Sequence, residues 1–216
     1  MTELLDLRYQ KTRRSPEELI KHLKSFKLSP KFSLGIWYFA PGGGRFHERF
    51  VPEMSIEERL NLLAEMKGLG VNGIEAHYPA EINENNIDLY KSMTKETGIK
   101  VVGIPFSHFY DKMFEFGAMS SPDPEVRKNA VNVAIGALKL AKEIGCPNVI
   151  SWPGMDGYTY DIGTIYPWMW DYYDQSMAQA IDEVPGVRVA LEPKPYEPAI
   201  NNIFRTTAEG ILAAQR

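Results

Sequence analysis

The feature that most constrains this chain is a junction that recurs along it, a glycine followed at once by an apolar residue: Gly70-Val71, Gly98-Ile99, Gly145-Cys146 and Gly186-Val187. A glycine so placed ends a helix in the left-handed region and hands the chain to a strand. Short apolar runs recur in step with these junctions: FSLGIW (Phe32 to Trp37), GIEAHY (Gly73 to Tyr78), KVVGIPF (Lys100 to Phe106), NVISW (Asn148 to Trp152) and VRVALEP (Val187 to Pro193). Apolar along most of their length, they suit parallel strands covered on both faces. Helical patterns fall between them. Ser55 with Glu58 opens one bearing Leu60, Leu63 and Met66, Asp123 and Pro124 open one bearing Val126, Ala130, Val133, Ala137 and Ala141, and a third carries Met169, Tyr173, Met177 and Ile181. This βαβα order predicts a parallel α/β fold, either a (β/α)₈ barrel or a doubly wound sheet.

The residues at the strand ends favour the barrel. Trp37, His77, His108, Trp152, Glu192 and Lys194 all fall at or just after the carboxyl end of a predicted strand, where barrel enzymes build their sites. No G-x-G-x-x-G loop follows the first strand; Gly42, Gly43 and Gly44 are contiguous and run into Arg45 without a helix pattern. Five βα units can be counted where a barrel needs eight. The expected fold is therefore an α/β, TIM-type (β/α) barrel truncated after about five βα units. Residues 31–216 make this partial barrel, and residues 1–30 form a helical extension, with Ser15, Pro16 and Glu18 opening a helix striped by Leu19, Leu23 and Phe26. Thr206 with Glu209 opens a final short helix.

The segment VRVALEPKPYEP, Val187 to Pro198, drives a buried strand into a charged, proline-locked tip. Glu192, Lys194 and Glu197 each precede a proline, which biases their backbones toward extended conformations. In extended chain, residues two apart share a face, so Glu192 and Lys194 would offer an anionic ligand and a cationic donor to one small polar molecule or ion.

Composition narrows the chemistry. With 216 residues, 44% of them apolar, the chain can bury a core. A net charge of −4 and the absence of a long Lys/Arg run argue against nucleic-acid or membrane-surface partners and for a small-molecule substrate. The first residues lack the apolar core of a signal peptide, and no stretch reaches the roughly 18 apolar residues of a membrane span, so a cytoplasmic protein is expected. The single cysteine, Cys146, reads as structural, and His47 as a loop histidine.

LEPKPYEP at Leu191 to Pro198 closely resembles the EPKP-x-EP signature at the fifth strand of xylose isomerases. FSLGIWYF, GIEAHY, PFSHF and SWPGMDG resemble, in order, that family's first four strand ends. The resemblance implies a divalent-metal aldose–ketose isomerase of the xylose isomerase-like barrel group, homo-oligomeric when complete, using magnesium or manganese, or cobalt. It implies that Glu192 is a metal ligand, that Lys194 hydrogen-bonds a sugar oxygen, and that His77 assists ring opening. Trp37, Phe106 and Trp152 would wall the sugar pocket, with His108 beside them. The family histidine is oriented by an aspartate three residues later; here that position is Ala80, and Glu81 is the carboxylate at hand. SWPGMDG also departs from the family's usual glycine- and arginine-containing version, and the remaining metal ligands belong to later strands.

Two other readings share the fold. A sugar epimerase or dehydratase would use proton transfer in place of a hydride shift, and a partial barrel without catalysis would bind sugar or metal weakly at most. For the 216-residue chain taken alone, inactivity is expected. The related AP endonuclease group would need histidine-rich zinc ligation and a basic surface, neither of which the sequence supplies.

Overall fold

The computed structural model describes residues 14–42, 51–109, 111–160, 163, 165–197 and 199–216. Gly43, Gly44, Arg45, His47 and the last proline of the EPKP-x-EP segment, Pro198, lie outside the described residues. The chain divides into two compact units, Met1–Pro30 and Lys31–Arg216. In the first, α1 (Pro16–Ser25) starts at a reciprocal capping box between Ser15 and Glu18. Its apolar residues Leu19, Ile20 and Leu23 are exposed.

The second unit carries the sheet. β1 (Phe32–Gly35), β2 (Val71–Glu75), β3 (Lys100–Phe106), β4 (Asn148–Ser151) and β6 (Arg188–Leu191) lie side by side in that order, every neighbouring pair parallel. A strand order that follows the chain without reversal is the winding of a (β/α) barrel; a doubly wound sheet reverses at a switch point. The sheet is open, with β1 and β6 at its two edges. The connecting helices are α2 (Ile56–Glu65), α3 (Ile87–Thr97), α4 (Pro124–Ile144) and α5 (Tyr166–Glu183), and α6 (Thr207–Gln215) follows the last strand.

The junction glycines do what their spacing predicts. Gly70, Gly98, Gly145 and Gly186 all have φ between 72° and 90°, and the first three cap helical segments directly. The capping boxes at Ser55 and Thr206 are both formed. α4 buries Ala130, Ala134, Ala137 and Ala141, small side chains that let it lie close to β3 and α5. At Gly136 the approach is closest: a Cβ there would run into the Tyr78 hydroxyl and come within 2.6 Å of its Cζ.

Strand ends differ from the sequence reading. Only β3 has the predicted span. β1 stops at Gly35, and Ile36–Phe39 form a 3-10 turn that carries Trp37. β2 ends at Glu75, short of His77, although Tyr78 regains the sheet through a single bridge to Phe106. α3 was marked in the sequence only by the glycine that ends it, Gly98, and a small antiparallel ribbon of β5 (Gly157–Tyr158) with β7 (Asn201–Asn202) was not apparent from patterning. Two residues per strand is too short for an alternation to register.

Candidate functional site

The ends of the five parallel strands bring one side chain each into a continuous row. The Trp37 ring lies 4.5 Å from the His77 ring, His77 lies 6.2 Å edge-on from Phe109, and Phe109 lies 5.3 Å edge-on from Trp152. Lys194 closes the row, its Nζ 4.7 Å above the Trp152 ring. Of the residues expected at the site, Trp37, His77, Trp152 and Lys194 are thus brought together, from β1, β2, β4 and β6 in turn.

Both tryptophans are seated over glycine. A Cβ on Gly35 would strike the Trp37 indole, and one on Gly154 would come within 2.7 Å of the Trp152 ring. Only a residue without a side chain lets each indole fold back flat against its own loop.

His77 is fixed by Glu81. Its Nδ1 lies 3.0 Å from Glu81 Oε2, and its backbone N–H donates to the same oxygen at 2.8 Å. The turn is closed from the other side, where the backbone N–H of Glu81 donates to the His77 carbonyl. Glu81 is itself buried, 3.7 Å from the guanidinium of Arg59, and its carbonyl accepts from the Tyr90 hydroxyl. A carboxylate accepts only, so the shared hydrogen belongs to Nδ1, and in the neutral ring Nε2 is the acceptor. Glu81 therefore fills the orienting place left by Ala80. Arg59, on α2, carries the relay one step further and was not foreseen.

Lys194 is held by Glu197, with Nζ 2.7 Å from Oε2. Glu197 is the departure from the extended backbone expected before proline: its φ is +79°, in the left-handed region. For a residue with a side chain this conformation costs energy, roughly 1 kcal/mol. A tight turn holds it there: Glu197 donates its N–H to the Ala199 carbonyl at 2.6 Å, and Ala199 donates to Gly154, beneath Trp152. The Trp152 and EPKP loops are thereby tied together.

Phe106 and His108 do not join the row. Phe106 is buried on β3, and its ring meets His108 edge-on at 5.5 Å. His108 is buried too, packed 4.7 Å from Phe114, with Nε2–H donated to the Ala130 carbonyl at 3.2 Å. Burial lowers its pKa, opposed by the charge of Asp156. Phe109, three residues beyond Phe106, takes the wall position instead; strand β3 ends at Phe106, and the loop turns before the chain reaches the row. Cys146 is buried, with its thiol donated to Asn148 and its pKa pushed up to about 11 by burial, as a structural thiol should be.

Glu192 follows β6 directly, exposed, with its backbone N–H donated to Ser151 on β4. Among the described residues no group of three or more His, Cys, Asp or Glu side chains could hold a metal ion. A lone carboxylate does not fit a divalent cation that wants six or more oxygens.

A cavity of about 660 Å³ lies in the same unit, walled by aromatic residues of the β3 and β4 loops and of α5, and shares no residue with the row.

The profile of the xylose isomerase-like TIM barrel family matches residues 63–213, more than two thirds of the chain. The chain belongs to this family. Two xylose isomerases, from Thermus thermophilus and Thermus caldophilus, are each 30% identical to it, over 197 and 201 residues, covering 85% of this chain and 50% of theirs. The chain spans about half the length of these curated relatives. Among solved structures, an L-ribulose 3-epimerase superposes with a TM-score of 0.63 at 18% identity, covering 87% of this chain and 57% of that one. The 3-keto-D-glucoside 4-epimerase of E. coli gives 0.57 at 22%, covering 78% and 61%, and a family 2 AP endonuclease of Brucella melitensis gives 0.60 at 17%, covering 87% and 64%. These likenesses carry the barrel fold alone. Within the described residues, no helix of this xylose isomerase-like chain is long and apolar enough to cross a membrane.

Proposed function

We propose that the whole protein is an aldose–ketose isomerase acting on a free sugar held along the row from Trp37 to Lys194. The observation that carries this reading is the His77–Glu81 pair: a histidine with its Nδ1 hydrogen committed to a buried carboxylate, at the end of the second barrel strand and against an aromatic wall. Such an imidazole is set to accept at Nε2. In a cyclic aldose, Nε2 takes the proton of the anomeric hydroxyl, the C1–O5 bond breaks as C1 becomes the carbonyl carbon, and Nε2–H returns that proton to O5.

Lys194, steadied by Glu197, donates a hydrogen bond to an oxygen of the opened sugar. Trp37, Phe109 and Trp152 present ring surfaces that keep water from the hydrogen moving between neighbouring carbons. By resemblance to the family, a magnesium, manganese or cobalt ion would supply polarisation of the sugar oxygens. Glu192 offers one carboxylate to such an ion, and the described residues do not complete its site. The roles assigned to His77, Lys194 and the three rings rest on those side chains alone.

The test follows one hydrogen. An aldose carrying deuterium at C2 is converted by the whole protein in ordinary water. Retention of the label at C1 of the ketose supports the isomerase. Loss of the label to solvent with formation of the C2-epimeric aldose, or turnover of ketoses only, supports an epimerase on the same barrel.

A further inference from the structure

We propose that the cavity between the β3 loop, the β4 loop and α5 is a binding site for a neutral sugar ring, separate from the row at the strand ends. The cavity, about 660 Å³, falls in the size range of small-molecule sites. Its walls combine aromatic faces, from Tyr158, Trp168 and Tyr172, with hydroxyls at Ser120 and Thr159. Trp168 is 55% exposed, although the residue two places on, Trp170, is buried against Phe204. α5 thus packs one of its two tryptophans and leaves the other at the cavity.

Ser120 is the polar handle. It is 1% exposed, it lines the cavity, and its hydroxyl has no hydrogen-bond partner. Its backbone, in contrast, is firmly held: Asp156 Oδ1 accepts from the N–H groups of Ala118 and Ser120, at 3.0 and 2.6 Å. A buried hydroxyl left unpaired costs free energy that a ligand oxygen would recover. Here it is fixed in place with its partner missing.

The ligand class follows from the lining. Among the described lining residues the one charge is Glu115, and none is basic, which disfavours phosphorylated or carboxylated molecules. Arg127, nearby, is already engaged, with its guanidinium 4.2 Å from the Tyr172 ring and NH1 donated to the Ser121 carbonyl. Flat apolar faces edged by hydroxyl groups complement a pyranose, which has C–H faces and a hydroxyl rim.

The probe is methyl β-D-xylopyranoside, whose anomeric carbon is locked, so its binding is independent of any isomerase activity. Affinity is measured by ligand-observed saturation-transfer NMR on the whole protein. Saturable binding is expected, weakened about fivefold or more by Trp168→Ala and by Ser120→Ala, the equivalent of roughly 1 kcal/mol for a lost stacking face or hydrogen bond. The exposure of Trp168 makes its substitution safe for the fold, which thermal melting checks. No saturable binding overturns the proposal, and so does binding that both cavity variants leave unweakened.

Discussion

Glu81 grips His77 with a single oxygen: Oε2 lies 3.0 Å from the ring Nδ1 and accepts the His77 backbone N–H at 2.8 Å. Side-chain angle and tautomer are therefore set together. Glu81→Gln keeps the packing but offers the ring an amide that rotates to donate or accept. In the whole protein it should lower kcat about tenfold to a hundredfold, with KM for the sugar little changed. Steady-state kinetics check this. An unaltered kcat would mean that the pair serves only the fold.

Gly136 reverses an ordinary helix rule. Glycine inside a helix costs about 1 kcal/mol relative to alanine, so Gly136→Ala would stabilise α4 on propensity alone. The added Cβ, however, would meet the Tyr78 ring, 2.6 Å from Cζ. Overpacking of this kind costs about 1–3 kcal/mol and outweighs the gain. Chemical denaturation should show a net loss, partly recovered in Gly136→Ala/Tyr78→Phe.

His108 should make the fold acid-sensitive. Burial lowers its pKa below the ordinary 6.5, so between the folded value and 6.5 the unfolded chain binds more protons than the folded one. Its neutral form is favourable to the fold above 6.5, and stability falls as the pH drops below that point. Unfolding free energies measured on both sides of this value should diverge in the native protein and diverge less in His108→Asn.

Trp152 depends on the residue beneath it. Gly154→Ala places a methyl 2.7 Å from the indole and must tilt it. Because the same ring stacks under Lys194 and meets Phe109, sugar turnover should fall while the melting temperature changes little. Unchanged kinetics with a displaced indole, seen crystallographically, would remove Trp152 from the site.

Much of the fold was legible because glycine caps and capping boxes are local devices. The Gly70, Gly98 and Gly145 caps and the Ser55 and Thr206 boxes are formed as their spacing requires. The alternation of elements left a barrel and a doubly wound sheet open, and the residues at the strand ends pointed to the barrel order. The site was legible where a residue directly ends a strand, as with Trp152 after β4. It was less so where the chain turns first. The Phe106, His108 and Phe109 segment shows the difference: three aromatic residues lie within four positions, and only the backbone path decides that two enter the core and the third enters the row. Arg59 was hidden for another reason, since it reaches Glu81, in the turn after β2, from the preceding helix α2, and no spacing links them. The aromatic cluster on α5 divides by helical phase, Trp170 and Tyr173 packing on Phe204 and Trp168 and Tyr172 facing the cavity.

The most direct test of the row as a sugar site is a crystal structure of the whole protein soaked with an aldose. The account predicts a sugar oxygen within hydrogen-bond distance of His77 Nε2, a second at Lys194 Nζ, and the carbon chain against Trp37, Phe109 and Trp152. Sugar bound elsewhere with the row left untouched, or an imidazole whose Nδ1 has left Glu81, would contradict it.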